Sequence, residues 1–378
     1  MTGRPVVFVV PEGLDDPARV SGGNVYDRRL REGLGAAGWS VSTVEAGDAA
    51  SAALALRQLP SGATVLLDGL VAGWAPAEVA AASARTGVVV LAHMVASAFS
   101  DATPALVEAE RRVLAAAHGV VVTSEWTARE LTRRGLVDAA RVTVAAPGVA
   151  ASSPVDPSSS ARSSSTHADP AETRAYATNE PVVAGAGEGR DGRWLCVGVV
   201  APHKGQDVLL AALARLPRLD WTCAIVGSPD AAPEFAATVR SDAAGFGGRV
   251  RFTGVLGPAA LAAEYRRGGL LVAPSRVESA GMAIAEARAR GIPVVAAAVG
   301  GIPDTVAGGG AVLVRPDDPG ALAAALQAWM TDPALRRRLR REARAARTTM
   351  PTWADATAAV ARALEAACGG PSGRSGPT

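Results

Sequence analysis

The sequence predicts an α/β protein of two domains, each a parallel sheet covered by helices on both faces. Three observations predict it. Short β-branched runs alternate with Ala/Leu/Arg-rich stretches of helical length through both halves of the chain. The strand runs are continuously apolar, the pattern of strands buried on both sides. And 378 residues exceed what one hydrophobic core usually serves.

The elements follow in order. In the first half, strands are expected at 6–10, 39–44, 64–67, 88–92, 119–123 and 142–145, with helices between them, for example at 25–37 and 103–117. From 151 to about 190 the composition turns to Ser, Ala, Thr, Pro and Gly without periodicity, which reads as a linker or insertion. Alternation resumes with strands at 194–199, 221–226, 250–253, 270–273, 293–297 and 311–314. The expected organisation is a first Rossmann-like domain over 1–150, a linker over 151–190 and a second Rossmann-like domain over 191–350. Such sheets bind ligands beyond the carboxyl ends of their strands, and two facing sheets place a cleft between the domains.

Composition excludes several classes. A formal charge of +2 is too near neutral for nucleic acid to be a partner by bulk electrostatics. Hydrophobic residues make up 49% of the chain and aromatics only 4%, so the cores are built of Ala, Val and Leu. Cys196, Cys223 and Cys368 have neither metal-ligand nor redox spacing, and no metal site is expected. No apolar stretch reaches the roughly 18 residues of a membrane span, and the run 6–10 is too short for the core of a secretion signal. A cytoplasmic location is expected. The basic run from Arg336 to Arg347 reads as a solvated helix face, with peripheral contact at the inner membrane face left open.

The densest chemistry lies between Val272 and Asp304. Glu278 and Glu286 flank Ser279-Ala280-Gly281-Met282-Ala283-Ile284-Ala285, and a glycine loop, Gly300-Gly301, follows the next strand. A helix opening at Gly281 presents unpaired N–H groups and partial positive charge to a phosphate. A carboxylate further along that helix can accept hydrogen bonds from a pair of sugar hydroxyls. Phosphate plus diol points to a nucleotide or nucleotide-sugar. Lys204, in the strand–turn–helix segment from Val197 to Leu210, is aimed at the same zone and can neutralise a diphosphate. In the first half, Ser21-Gly22-Gly23-Asn24 precedes a helix expected to begin at Asn24 or Val25, and His93 ends a strand at the predicted cleft edge. The match of residues 187–192 to G-x-G-x-x-G is set aside, because a strand follows it instead of a helix.

Taken in order, Gly22-Gly23-Asn24-Val25-Tyr26, His93, Thr123-Ser124-Glu125-Trp126 with Val144 to Val149, Gly198 to Gly205, and Glu278 to Glu286 with Gly300-Gly301 resemble glycosyltransferase family 4, the retaining GT-B enzymes. The resemblance spans nearly the whole chain outside the Ser-rich linker and the tail at 369–378. It implies that Gly22 and Gly23 approach the donor diphosphate or the acceptor, and that His93 contacts the transferred sugar or the acceptor near the reacting carbon. It implies that Lys204 binds the diphosphate. Glu278, with the backbone of Ala280, Gly281, Met282 and Ala283, is expected to hold sugar hydroxyls and phosphate, and Glu286 the ribose. A last helix, 351–368, is expected to cross back onto the first domain. The implied reaction moves a sugar from a UDP- or GDP-linked donor to an acceptor hydroxyl on a small molecule, glycan or lipid-linked group, with retention and without metal or resident cofactor. The chain departs from the family at Val199, where arginine is usual, and Arg276 or another basic residue is the candidate substitute. A non-catalytic nucleotide-sugar-binding protein and a GT-B phosphorylase or epimerase are the alternatives.

Overall fold

The computed structural model describes residues 3–99, 102–149, 190–217 and 219–368. The expected linker lies outside the described residues apart from Arg190, as do residues 187–189 of the glycine match and the tail.

Among the described residues, twelve strands form two six-stranded sheets, parallel throughout. The first contains β1 (Arg4–Pro11), β2 (Trp39–Ala46), β3 (Thr64–Asp68), β4 (Gly87–Ala92), β5 (Gly119–Val122) and β6 (Val142–Val144), in the order β2-β1-β3-β4-β5-β6. The second contains β7 (Arg193–Val197), β8 (Thr222–Val226), β9 (Val250–Gly254), β10 (Leu270–Ala273), β11 (Val294–Ala297) and β12 (Ala311–Val314), in the order β12-β11-β10-β7-β8-β9. All twelve expected strands are present, within one to two residues at most ends.

The strand order decides where ligands can sit. In the first sheet the winding reverses between β1 and β3, and in the second between β7 and β10. At such a switch point the connections leave in opposite directions and open a crevice at the carboxyl ends. The segments after β1, β3, β7 and β10 are therefore the ones that line it. The segments after β1, β7 and β10 carry Gly22 and Gly23, Lys204 and Glu278 respectively, and β3 itself ends in Asp68.

Each sheet is covered on both faces. In the first domain, Val9, Val65, Leu67, Val88, Val90 and Val120 pack with residues of the helices Ala49–Gln58, Pro104–Ala116 and Glu125–Arg133. The alternate residues Val6, Phe8, Val10, Leu66, Val89 and Leu91 turn to the opposite face. There they meet Tyr26, Leu30 and Leu34 of the helix Gly22–Ala36, and Ala356, Val360 and Leu364 of the helix Trp353–Cys368. The chain's last described helix thus completes the core of its first domain. Thr357 lies so close to Gly33 that a Cβ there would collide with its hydroxyl. The crossing back is pinned where Val149 N–H donates to the Pro351 carbonyl at 3.1 Å. In the second domain, stacked Trp194 and Trp221, 5.6 Å apart, and Trp329 fill one face of the sheet.

The basic run forms the helix Pro333–Ala346, which buries Leu339, Ala343 and Ala346. Arg336 and Arg340 are both paired with Asp191, so part of its charge is spent inside the domain. Among the described residues no helix is long and apolar enough to cross a membrane.

Candidate active site in the interdomain cleft

Glu278 follows β10 and Lys204 follows β7, so the switch point of the second sheet sets them side by side. Lys204 Nζ lies 2.7 Å from Glu278 Oε2, with about a fifth of each side chain exposed. Lys204 ends a short 3₁₀ turn, Pro202–Lys204, just before the helix of the expected strand–turn–helix segment. Gly205, at φ +69, caps that helix, Gln206–Leu213. The turn points Lys204 back over the sheet, where its side chain lies against Gly198.

Gly281, at φ +63, caps the helix Met282–Ala289, as the sequence suggested. Its N–H reaches Glu278 Oε1 at 3.3 Å, which folds the glutamate over the helix start. The loop is held from below by the glycine pair. Gly301 N–H donates to the Glu278 carbonyl at 3.0 Å. A Cβ at Gly300 would strike that same carbonyl oxygen, and one at Gly301 the Ser279 carbonyl. Thr305 Oγ1 donates to the Ala280 carbonyl at 2.8 Å. Beneath the ion pair a cavity of about 20 Å³, lined by Cys196, Gln206, Glu278 and Ile284 among others, has room for about one water. A ligand must therefore come from the cleft side. A wider surface depression at Arg215 and residues 315–320 holds no comparable constellation.

Glu286 lies one turn further along the helix. Burial raises its pKa, opposed by the charge of Arg290 3.8 Å away, by the Tyr265 hydroxyl and by Arg29 of the first domain. Arg290 lies over the Tyr265 ring at 4.6 Å. The carboxylate thus faces the cleft with a weak ion partner and capacity for two hydroxyl donors.

The first domain brings its own residues to the same place. The helix expected at Asn24 or Val25 begins earlier, at Gly22. Ser21 caps it by accepting from Asn24 N–H at 3.1 Å. Both glycines are therefore in the first turn, where the absence of a side chain leaves room for other groups. A Cβ at Gly22 would lie 3.6 Å from Met282 Sδ, and one at Gly23 would lie 3.6 Å from the His93 ring. Met94 Sδ accepts from Ser279 Oγ at 3.1 Å, and Arg129 pairs with Asp304 at 2.6 Å. Gly22, Gly23, His93, Lys204, Glu278, Met282 and Glu286 thus belong to one cleft, with Ala280, Gly281 and Ala283 as its backbone floor.

Two site residues escaped the sequence reading. His93 Nε2 lies 2.9 Å from Asp27 Oδ1 and 3.3 Å from Asp68 Oδ2, and both aspartates are buried. Asp27 sits at helical spacing with Leu30 and Leu34, an acid within an apolar stripe, and that is the signal that could have found it. Asp68 ends β3 and caps the next helix by accepting from Leu70 and Val71 N–H. One ligand atom from each of the three lies within 4.8 Å of the others. A metal ion there would have to part a 2.9 Å hydrogen bond, and the imidazole itself supplies the positive charge between the carboxylates. Burial opposes protonation of His93, but the charge and hydrogen bond of Asp27, then those of Asp68, override it and raise its pKa to about 10. Burial raises Asp27 to about 6 against the pull of His93.

The raised His93 value fixes a pH dependence. Its contribution to stability is fully present below the unfolded value of 6.5 and is lost as pH rises toward 10. Melting temperature is therefore expected to fall across that window, with a shallower fall in His93→Asn. An unchanged slope in the variant would assign the titration to another group.

Arg276, one candidate for the role of the missing arginine, is engaged elsewhere. Arg276 donates to both Asp207 oxygens at 2.9 and 2.7 Å, to Asp317 at 2.6 Å and to the Pro202 carbonyl at 2.7 Å. It is consumed in fastening the β10 loop to the turn that carries Lys204. Val199 leaves only its carbonyl in play, accepting from Gln206 Nε2 at 2.9 Å.

Two parallel-sheet domains meeting at a cleft lined in this way have the GT-B fold of glycosyltransferases. Sucrose-phosphate synthase from Thermosynechococcus elongatus superposes with a TM-score of 0.72 at 23% identity, over 96% of this chain and 98% of that one. Anabaena HepE in complex with UDP and glucose superposes with a TM-score of 0.68 at 18% identity, over 95% and 99%. The family model for glycosyl transferases group 1 matches residues 187–346. That family assignment falls on the second domain, and the first domain is like these proteins in fold. The D-inositol 3-phosphate glycosyltransferase of Streptomyces avermitilis is 39% identical over 160 residues, 39% of this chain and 34% of its own length. That of Xylanimonas cellulosilytica is 34% identical over 258 residues, 66% of this chain and 57% of its own. The chain spans from about a third to just over half the length of these curated relatives.

Proposed function

We propose that the protein is a retaining, metal-independent glycosyltransferase that moves a sugar from a nucleoside diphosphate donor to an acceptor hydroxyl. The observation that carries this reading is the convergence, at one switch point, of the Lys204–Glu278 pair, the open helix start at Gly281 and Glu286 one turn along. The helix N–H groups and Lys204 take the diphosphate, Glu286 the ribose and Glu278 the sugar hydroxyls. UDP-sugars are the first donors to try, since HepE is described in complex with UDP and glucose, and GDP-sugars the next. Inositol 3-phosphate is the first acceptor, from the names of the curated relatives. In the reaction, the bond from the anomeric carbon to the phosphate oxygen breaks as the acceptor oxygen bonds to that carbon on the same face. The acceptor proton passes to the departing phosphate oxygen. Closure of the domains excludes water, which limits hydrolysis of the donor.

A thermal-shift series of nucleoside diphosphates and their sugars, on the wild type and on Glu286→Ala, tests the donor site. One nucleotide is expected to raise the melting temperature of the wild type and to have at least about tenfold weaker affinity for the variant, the loss expected of a charged hydrogen-bond acceptor. Equal shifts in both proteins would remove Glu286 from the site. One observation favours a second reading, a nucleotide-sugar-binding protein without turnover: with Arg276 committed to two carboxylates, Lys204 faces the diphosphate without a companion arginine at Val199. Donor binding without product across acceptors would favour it.

A further inference from the structure

We propose that Asp27 is a positioning residue for His93, holding the ring so that Nδ1 donates a proton-bearing, positively charged contact to the donor in the cleft. The proposal rests on the glycosyltransferase reading for its chemistry, but not for its geometry.

The geometry is specific. Nε2 lies between two carboxylate oxygens, which only accept hydrogen bonds, so Nε2 carries a proton. That leaves Nδ1 as the nitrogen that can address a ligand. The ring retains 17% of its side-chain exposure, whereas Asp27 retains 1%. Gly23 lies beside the ring, and the next residue, Met94, touches Ser279 in the loop that carries Glu278. His93 therefore borders the place where the transferred sugar and its phosphate must sit. Beside a single neutral partner the imidazole would be a base, with Nδ1 accepting. Beside two carboxylates it is an imidazolium, with Nδ1–H donating to an oxygen that gains negative charge as the glycosidic bond breaks.

A purely structural ion pair is the competing explanation, and two features tell against it. Asp27 Oδ2 is buried without a hydrogen-bond partner, which costs stability that a packed apolar residue in the same helical stripe would avoid. The charges acting on His93 come from two different elements, Asp27 on the helix Gly22–Ala36 and Asp68 at the end of β3. The other neighbours are the edge of the Tyr26 ring, 5.3 Å away, and the Thr123 hydroxyl, which meets the His93 carbonyl at 3.4 Å. The burial of Tyr26 raises its phenol further from ionisation, so it adds no charge of its own.

Asp27→Asn keeps the size and hydrogen-bonding oxygen but removes the charge. Two measurements on the full chain test the proposal. The first follows the His93 imidazole by NMR from pH 5 to 10, without substrate, in the wild type, Asp27→Asn and Asp68→Asn. The expected result is a doubly protonated ring beyond pH 8 in the wild type and deprotonation at clearly lower pH in Asp27→Asn. The second measures turnover against pH. Asp27→Asn is expected to lower kcat by about ten- to a hundredfold, within the range for proton-bearing catalytic groups, to leave donor KM near the wild-type value and to move the alkaline limb to lower pH. A wild-type ring that titrates near pH 6.5, or a variant with unchanged ring titration, overturns the proposal, as does a lowered kcat with an unmoved alkaline limb. Should Asp27→Asn fail to fold, Asp68→Asn carries the same tests, with the same direction expected. If the wild type turns over no donor, the glycosyltransferase reading fails while the NMR titration still decides the charge of His93.

Discussion

Lys204→Ala is expected to lower turnover by about 10²–10³-fold, the usual cost of removing one preorganised group from developing negative charge. In the proposed reaction the leaving diphosphate gains charge as the sugar departs, and Lys204 is a cation at the switch-point crevice. Its partner Glu278 can then swing away, because the carboxylate retains only the 3.3 Å contact with Gly281 N–H. Both side chains are partly solvated, so the loss of stability should stay within about 1 kcal/mol. Single-turnover rates measured beside melting temperatures separate the two effects. Turnover within a few-fold of the wild type would remove Lys204 from the mechanism. Near-normal turnover in Glu278→Ala as well would sink the assignment of the whole pair.

Gly300→Ala is expected to damage fold and site together. At φ +54 a side chain is strained by about 1–2 kcal/mol. The added Cβ would also meet the backbone oxygen of Glu278, which has no flexible end to turn aside. The Glu278 loop must therefore move, and the N–H of Gly301 loses its acceptor. A total cost of at least about 2 kcal/mol is expected in urea unfolding, together with loss of nucleotide binding. A comparison with Gly245→Ala makes the result specific, because a Cβ at Gly245 meets nothing within 4 Å. Normal nucleotide affinity in Gly300→Ala would mean that the loop is set from elsewhere.

The fold was legible because central strands buried on both faces, such as β3, β4, β5 and β10, leave short apolar runs, while edge strands such as β2 and β9 were marked by their β-branched and aromatic residues. The second-domain site was legible for a related reason. Glu278, Gly281, Glu286 and Gly300-Gly301 lie within one short stretch, so local order carries their proximity. Asp27 and Asp68 were missed because their proximity to His93 comes from strand order: the segments after β1, β3 and β4 converge only once the sheet is formed. Asp27 was further disguised by Arg28 and Arg29 beside it, which make the helix read as solvated. The fate of Arg276 was illegible for the opposite reason. Its charge suggested a ligand, while Asp207 and Asp317, far off in sequence, had already claimed it. The first helix start moved by two or three residues because its cap is decided by a single hydrogen bond, from Asn24 N–H to Ser21.

The helix Trp353–Cys368 also governs the order of events during synthesis. The first domain emerges from the ribosome with one sheet face half open, since Ala356, Val360 and Leu364, which complete it, are translated only after the second domain. The second domain, with its own two hydrophobic layers, is made in the interval and can fold as a unit. The nascent first domain must therefore wait, with Phe8 and Leu66 incompletely shielded, for a segment more than 200 residues downstream of β6. Chaperone demand during translation is accordingly expected on the first domain, whose core closes only after the second domain has been made.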